Sequence, residues 1–363
     1  ALAANPSCTP SLSDGLFLFY KRSDTGTFST KSAFIFCYND IPPDSFPLSF
    51  MNTPKAFAIL GPTASGKTGL ALRLAETLPV EIISLDSALV YRDMDIGTAK
   101  PTAAEQAAVP HHLIDIISPL EAYSAAEFVG DCVRLVNDIQ ARGRYPLIVG
   151  GTMMYFHALT AGLNQLPEAD TATRAALQSE KAAHGLDYLY ALLQQCDPET
   201  AARLQPADSQ RIERALEVFR LTGKPLSLHF AEQLQFTPPL DLHTVALIPD
   251  NRALLHEQIG KRFDTMLEQG FLDEMRMLRD KYPELHADMT SMRCVGYRQA
   301  WDYLEGADDY AAFVEKGKAS TRQLAKRQLT WLRKLPLADS LDPYADSGYI
   351  QTASALAKRH FGC

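Results

Sequence analysis

The chain reads as an α/β protein: a parallel sheet flanked by helices, with a helical insertion and a helical C-terminal part. Three observations predict this class. Between Met51 and about Leu163, short apolar runs alternate with segments of helical spacing, the pattern of parallel strands joined by crossover helices. Gly61–Thr68 reads GPTASGKT, a phosphate-gripping loop placed between an apolar strand and an apolar helix. From residue 166 to 231 the strand signal vanishes and helical spacing takes over.

Each element follows from its residues. AFAIL (56–60) is a short apolar strand, and KTGLALRLAETL (67–78) carries Leu70, Leu74 and Leu78 on one helical face. VEIISLDS (80–87) is a second strand with a polar end. A helix follows over 124–143, where Ser124 and Glu127 form a capping box. YPLIVGGT (145–152) is a third strand ending in two glycines. In such sheets the carboxyl ends of the strands form the binding crevice. Within the helical stretch, DSQRIERALEVFRLTGK is capped by Asp208 and stopped by Gly223 and Pro225. One strand returns at HTVALIP (243–249), and residues 252–335 are mainly helical. The expected organisation is therefore a core of 51–165 and 232–345, an insertion of 166–231 and a tail of 346–363. Residues 1–50 hold nine of the 33 aromatics and lack the basic region and apolar core of a signal peptide. They are expected to lie outside the fold.

Composition narrows the class. Hydrophobic residues are 46% and charged residues 21% of the 363, ordinary for a globular chain. No apolar run reaches the 18 or so residues needed to span a bilayer. The six cysteines form no CxxC pair, which fits a reducing cytosol better than a disulfide scaffold. The net charge of −8 hides a local excess: Lys316–Lys334 carries seven cations and no carboxylate. One basic patch on an acidic body orients a polyanion.

Five constellations carry chemistry. In GPTASGKT the glycines let successive N–H groups face phosphate oxygens, the helix start adds its positive end, Lys67 adds a charge, and Thr68 offers a hydroxyl to Mg²⁺. In LDSALVYRDMDIGTAKP, Asp86 closes the second strand, facing the same crevice. A carboxylate there can hold Mg²⁺ through water or take a proton from a nucleophile, and a helix cap is the plain alternative. Gly150-Gly151-Thr152 allows close approach of a ligand to a strand end, or simply a tight turn. SMRCVGYRQAWDYL gathers Arg293, Tyr297 and Arg298 around Gly296. In TRQLAKRQLTWLRK, helical geometry places Arg322, Lys326 and Arg333 in one wedge, with Leu324, Trp331 and Leu335 opposite. That is a cationic face for a phosphate backbone, with Trp331 expected in the core. The usual second half of an ATPase, a strand ending in Asp with an adjacent catalytic Glu, is missing.

Taken in order, GPTASGKT, DSALVYRDMDIGTAKP, PHHLIDI, YSAAEF, IVGGTMMYF, QRIERALEVF, RCVGYRQAW and TRQLAKRQLTWLR resemble the bacterial-type tRNA dimethylallyltransferases (tRNA isopentenyltransferases), from about Pro54 to Leu335. The resemblance implies a P-loop NTPase-like sheet. It also implies transfer of a dimethylallyl group from dimethylallyl diphosphate to N6 of the adenosine 3′ of the anticodon, tRNA position 37, in tRNAs reading codons that begin with U. By resemblance Asp86 is the general base. Gly61, Pro62, Thr63, Ala64, Ser65, Gly66, Lys67 and Thr68 hold the diphosphate, Thr68 through Mg²⁺, while Thr152 lines the prenyl and adenine channel. Arg252 or Arg262 adds charge to the leaving group. The implied tRNA contacts are Asp86, Ser87, Ala88 and Leu89; Thr152 and Arg174; Gln210, Arg211, Ile212, Glu213 and Arg214; Arg293, Cys294, Val295, Gly296, Tyr297 and Arg298; and Lys326, Arg327, Gln328, Leu329, Thr330, Trp331, Leu332 and Arg333. The expected partners are the anticodon stem-loop of tRNA and the prenyl diphosphate, with no membrane, acting on a cytoplasmic monomer. The tail holds single His360 and Cys363, and His111 and His112 point apart in an extended segment, so no zinc is expected. A P-loop kinase of small molecules or nucleotides, or a non-catalytic tRNA-binding protein, is the alternative.

Overall fold

The computed structural model describes residues 10–13, 16–19, 34–36, 53–163, 166–167, 169–232, 236–335 and 337–363. The chain divides into two units, Ala1–Thr53 and Pro54–Cys363. In the first, β1 (Pro10–Ser13), β2 (Leu16–Phe19) and β3 (Phe34–Phe36) form an antiparallel sheet in that order. The remaining expectations for residues 1–50 fall outside the described residues.

The second unit begins with β4 (Lys55–Leu60), the phosphate loop, α1 (Lys67–Ala75) and β5 (Val80–Leu85). Then come α2 (Ala103–Ala108), β6 (His111–His112), α3 (Ala125–Ala141), β7 (Tyr145–Gly150) and α4 (Met153–Ala161). The capping box read at Ser124 and Glu127 starts α3, and Thr102 with Glu105 makes a second one on α2. Each such cap is worth about 1 kcal/mol. Helices α5 (Thr171–His184), α6 (Leu186–Cys196), α7 (Pro198–Arg203), α8 (Ser209–Thr222) and α9 (Leu226–Ala231) follow without a strand. They enclose their own cluster, with Leu177, Leu189, Leu193, Ile212 and Val218 buried together. The chain returns to the sheet as β8 (Asp241–Leu247), then α10 (Arg252–Glu268), α11 (Phe271–Lys281), α12 (Tyr297–Leu304), α13 (Tyr310–Leu332), β9 (Asp339–Leu341) and α14 (Tyr349–Phe361).

The sheet order is β6-β5-β7-β4-β8-β9, with every pair parallel. Strands β4, β5 and β7 are almost continuously buried, as strands covered on both faces are. One face packs under α3, α4, α10 and α13 through Phe128, Phe156, Ile259 and Leu329. The other packs under α1 and α14 through Leu70, Leu74, Ala353 and Ala357. Residues 346–363, expected as a tail, therefore carry a helix that completes the second layer. The apolar spacing of ALAKRHF was too short to announce it.

Register sets up the site. Leu60 pairs with Gly150, and Leu85 also pairs with Gly150. Three strands thus end level, and Gly61, Asp86 and Gly151 emerge side by side. A third cluster joins Val90, Tyr91 and Met94 of the loop after β5 to Phe263, Phe271, Tyr297 and Phe313 of the C-terminal helices. That packing closes the crevice from the far side. Among the described residues, no helix is long and apolar enough to cross a membrane.

Candidate active site

The phosphate loop owes its shape to a few hard constraints. A Cβ on Gly61 would stand 2.6 Å from Ser65 Oγ and 3.0 Å from the Leu247 carbonyl, so no larger residue fits there. Ala64 and Gly66 take left-handed backbone angles, φ 63° and 86°; the alanine does so at some cost, as strained residues at binding sites do. The Ser65 hydroxyl donates to the Pro62 carbonyl at 2.9 Å, and Lys67 Nζ donates to the same oxygen at 2.6 Å. No side chain caps α1, which leaves its first N–H groups for an anion.

These groups open onto a cavity of about 540 Å³, the size range of small-molecule sites. Its walls are the phosphate loop, the start of the loop after β5, residues 97–101, the β7 end, one face of α10, residues 290–297 and one face of α13. Asp86 is the one carboxylate among the lining residues, which include four basic side chains, Lys67, Arg262, Arg293 and Arg327; the charges of Asp86, Lys67 and Arg262 act on one another. Asp86 caps no helix. Its Oδ1 accepts from the Ala88 N–H at 2.9 Å, an arrangement that holds the carboxylate at the strand end. Burial, then the Arg262 charge, lowers the Lys67 pKa to about 7, with Asp86 opposing. Burial also pulls Arg262 down, with Asp86 again opposing. Burial pushes the Cys294 thiol up to about 12, aided by Asp86, and the Tyr91 and Tyr155 hydroxyls are raised by burial as well. The acids around Asp86 are thus neutral, and Lys67 stands between its charged and neutral forms near pH 7.

Of the two arginines considered for the leaving group, Arg262 is the one on this cavity. It lines the cavity and donates to the Thr98 carbonyl at 3.3 Å. Arg252 lines a separate cavity of about 400 Å³ between α10 and α13. The 95–101 loop that Arg262 touches is held from behind by Glu274. Its buried carboxylate accepts from the N–H groups of Asp95 (2.9 Å), Ile96 (2.6 Å) and Gly97 (3.2 Å) and from the Tyr297 hydroxyl (2.6 Å). Lys100 anchors the same loop on Asp95, Asp115 and the Tyr91 carbonyl. Sequence reading missed Glu274, since an acid in the first turn of a helix looks like any other.

The sequence-derived contacts divide clearly. Thr63, Ala64, Lys67, Thr68, Asp86–Leu89, Thr152, Arg293–Tyr297, Arg327, Gln328 and Trp331 meet around the main cavity. Four of the expected contacts with RNA are corrected, and the others lie outside this cavity. Ile212, Leu332 and Tyr297 are fully buried and Leu329 nearly so, because they are the packing faces of their helices. Tyr297 therefore meets the cavity without exposed surface to offer RNA. Arg174 and Arg214 are tied to the buried Glu217, Arg211 to Asp208, and Glu213 to Lys181, all within the insertion and away from this cavity, as is the exposed Gln210. Arg298 is held by the Ala287 carbonyl and by Asp288 and Asp302.

Trp331, expected in the core, is 36% exposed, lines the cavity and lies against His157. Ala325, Leu329 and Leu332 are the buried face of α13 instead. Thr321, Leu324, Gln328 and Trp331 form a second face on the cavity, while Arg322, Lys326 and Arg333 line the other cavity with Arg252 and His256. The Gly-Gly strand end also reads differently. A Cβ on Gly150 would stand 2.1 Å from the Leu85 carbonyl, and one on Gly151 2.5 Å from Gln328 Nε2. The Leu85 backbone demands glycine at 150, and Gly151 leaves room for the Gln328 amide. His111 contacts the Val109 carbonyl and His112 contacts Glu81, so the two do part.

A phosphate loop at one wall and a carboxylate at a nearby strand end are the frame of a P-loop-fold group transferase. Comparison with known proteins gives the family. The chain matches the isopentenyl transferase family over residues 54–115 and the IPP transferase family over 89–335, and it belongs to the IPP transferase family. It is 67% identical over 312 residues to the tRNA dimethylallyltransferase of Neisseria meningitidis serogroup A, covering 86% of this chain and all of that protein. It is 60% identical over 284 residues to that of Chromobacterium violaceum, covering 78% and 87%. The full-length tRNA isopentenylpyrophosphate transferase of Bacillus halodurans superposes with a TM-score of 0.62 at 36% identity, covering 85% of this chain and 98% of that one. A eukaryotic dimethylallyltransferase captured acting on tRNA superposes at 0.68 and 30% identity, covering 84% and 77%.

Proposed function

We propose that this chain transfers the dimethylallyl group from dimethylallyl diphosphate to N6 of adenosine 37 in tRNAs reading codons that begin with U, acting as a monomer. The observation that carries the reading is the charge pattern of the cavity, one carboxylate among four basic side chains beside a phosphate loop. An exocyclic adenine amine is a weak nucleophile because its lone pair is delocalised into the ring. Transfer therefore needs help at both ends of the new bond.

Asp86 takes the N6 proton as the N6–C1 bond forms. The C1–O bond breaks, and the diphosphate leaves with its electron pair into the loop amides, Lys67 and Arg262. Cys294, Tyr91 and Tyr155, kept protonated by burial, add no competing negative charge. The walls that exclude water are apolar: Ile259, Phe263, Met266 and Leu324. An anticodon-loop base is unpaired, so drawing it into the cavity costs little.

Mg²⁺ fits the residues present. Thr68 lines the cavity beside the diphosphate cradle and supplies a hard oxygen donor. Bound there, the ion would neutralise diphosphate charge.

The deciding experiment is mass analysis of tRNA nucleosides after incubation with dimethylallyl diphosphate and Mg²⁺. A gain of one dimethylallyl group on adenosine 37 is expected, and unmodified adenosine overturns the reading.

A further inference from the structure

One side chain on α13 joins the phosphate loop to the end of β7, which further hydrogen bonds tie to the strand end that carries Asp86. Gln328 Oε1 accepts from the Thr63 N–H at 2.8 Å, and Gln328 Nε2 donates to the Gly151 carbonyl at 3.0 Å. From there the chain of hydrogen bonds continues. The N–H groups of Gly151 and Thr152 donate to the Leu85 carbonyl at 3.2 and 3.1 Å, and the Ser87 N–H donates to the Thr152 hydroxyl at 3.0 Å. Leu85 and Ser87 are the two neighbours of Asp86. A single amide thus links the cradle for the leaving group to the residues on either side of the base.

Glutamine suits this place because one end of its side chain accepts and the other donates; Glu offers only acceptors when ionised, and Lys only donors. Gly151 leaves room for it, since a Cβ there would collide with Nε2. The backbone of α13 is fixed at this point by buried Ala325, Leu329 and Leu332.

We propose that Gln328 is a positioning residue for the transfer step. It sets the separation between the diphosphate cradle and Asp86, and it is not a tRNA contact. The inference rests on the functional reading above for its substrate.

Two substitutions test it. Gln328→Met keeps the length of the side chain and removes both bonds. The dimethylallyl diphosphate KM should rise about ten-fold and kcat fall about ten-fold, with the tRNA Kd within about two-fold. Gln328→Glu at pH 8 keeps the bond to Thr63 but sets a carboxylate against the Gly151 carbonyl. Near pH 5 the protonated acid can donate again. The ratio of variant to wild-type donor KM should therefore fall as pH is lowered from 8 to 5, a titration that a residue of merely structural importance would not show. Calorimetry of dimethylallyl diphosphate with Mg²⁺, without tRNA, should show about ten-fold weaker binding to Gln328→Met. That measurement needs no turnover, so wild type that binds the donor yet leaves tRNA unmodified would sink the functional reading alone. A raised tRNA Kd with unchanged donor KM, or a KM ratio flat with pH, would overturn the positioning role. So would loss of thermal stability with unchanged kinetics per folded molecule.

Discussion

In the proposed reaction, Asp86 is the residue on which the chemistry turns. Asp86→Ala removes the proton acceptor and leaves the loop, Arg262 and the cationic helix in place. Prenyl transfer should fall by about 10²–10⁴, while tRNA affinity by filter binding stays within about two-fold. Equal prenylation by variant and wild type would refute the assignment. Lys67 carries a second expectation, in pH. Its pKa is lowered to about 7 by burial and by Arg262, so the ammonium that would grip the donor is present below pH 7 and lost above it. A bound diphosphate raises the pKa again. Donor binding at pH 8 should then take up close to one proton, and at pH 6 almost none. Calorimetry in buffers of different ionisation enthalpy measures this directly, and no uptake at pH 8 would mean that Lys67 is already charged. Both residues were legible in the sequence, because a phosphate loop and a strand-end acid leave local signatures.

At the scale of elements, legibility falls wherever the contact is long-range. The helix starts at Ser124 and Asp208, the stop at Gly223 and the parallel strands followed from local chemistry. The three faces of α13 did not, since helical spacing locates a stripe but not what covers it. The exposed, cavity-lining position of Trp331 escapes it for this reason, as do the hydrogen bonds of Gln328. Glu274 is the clearest case: it reaches 177–179 residues back along the chain to hold the 95–101 loop, and no window of sequence shows that. Glu274→Gln keeps the shape but turns an NH₂ toward donors. The variant should lose about 2 kcal/mol, read as a lower urea midpoint with unchanged slope. The donor KM should also rise, because the same loop carries the Thr98 carbonyl that Arg262 engages. An unchanged midpoint would show that the loop finds another anchor.

On the scale of the whole molecule, the question is how a chain of net charge −8 holds a polyanion. The seven cations of Lys316–Lys334 are not equivalent. Lys316 is paired with Asp308, and Lys318 with Asp264 at 2.7 Å. Arg322, Lys326 and Arg333 instead line a cavity with Arg252 and His256 and no carboxylate. Two consequences follow for binding. The acidic remainder repels RNA presented in other orientations, and only the unpaired cations release counterions from the phosphate backbone. Lys326→Ala and Arg333→Ala should each weaken tRNA binding and reduce the slope of log affinity against log salt by about one. Lys316→Ala, which removes a charge already neutralised by Asp308, should leave the slope unchanged although it alters net charge equally. Equal slope changes in all three variants would mean that net charge, rather than this face of α13, draws the tRNA in.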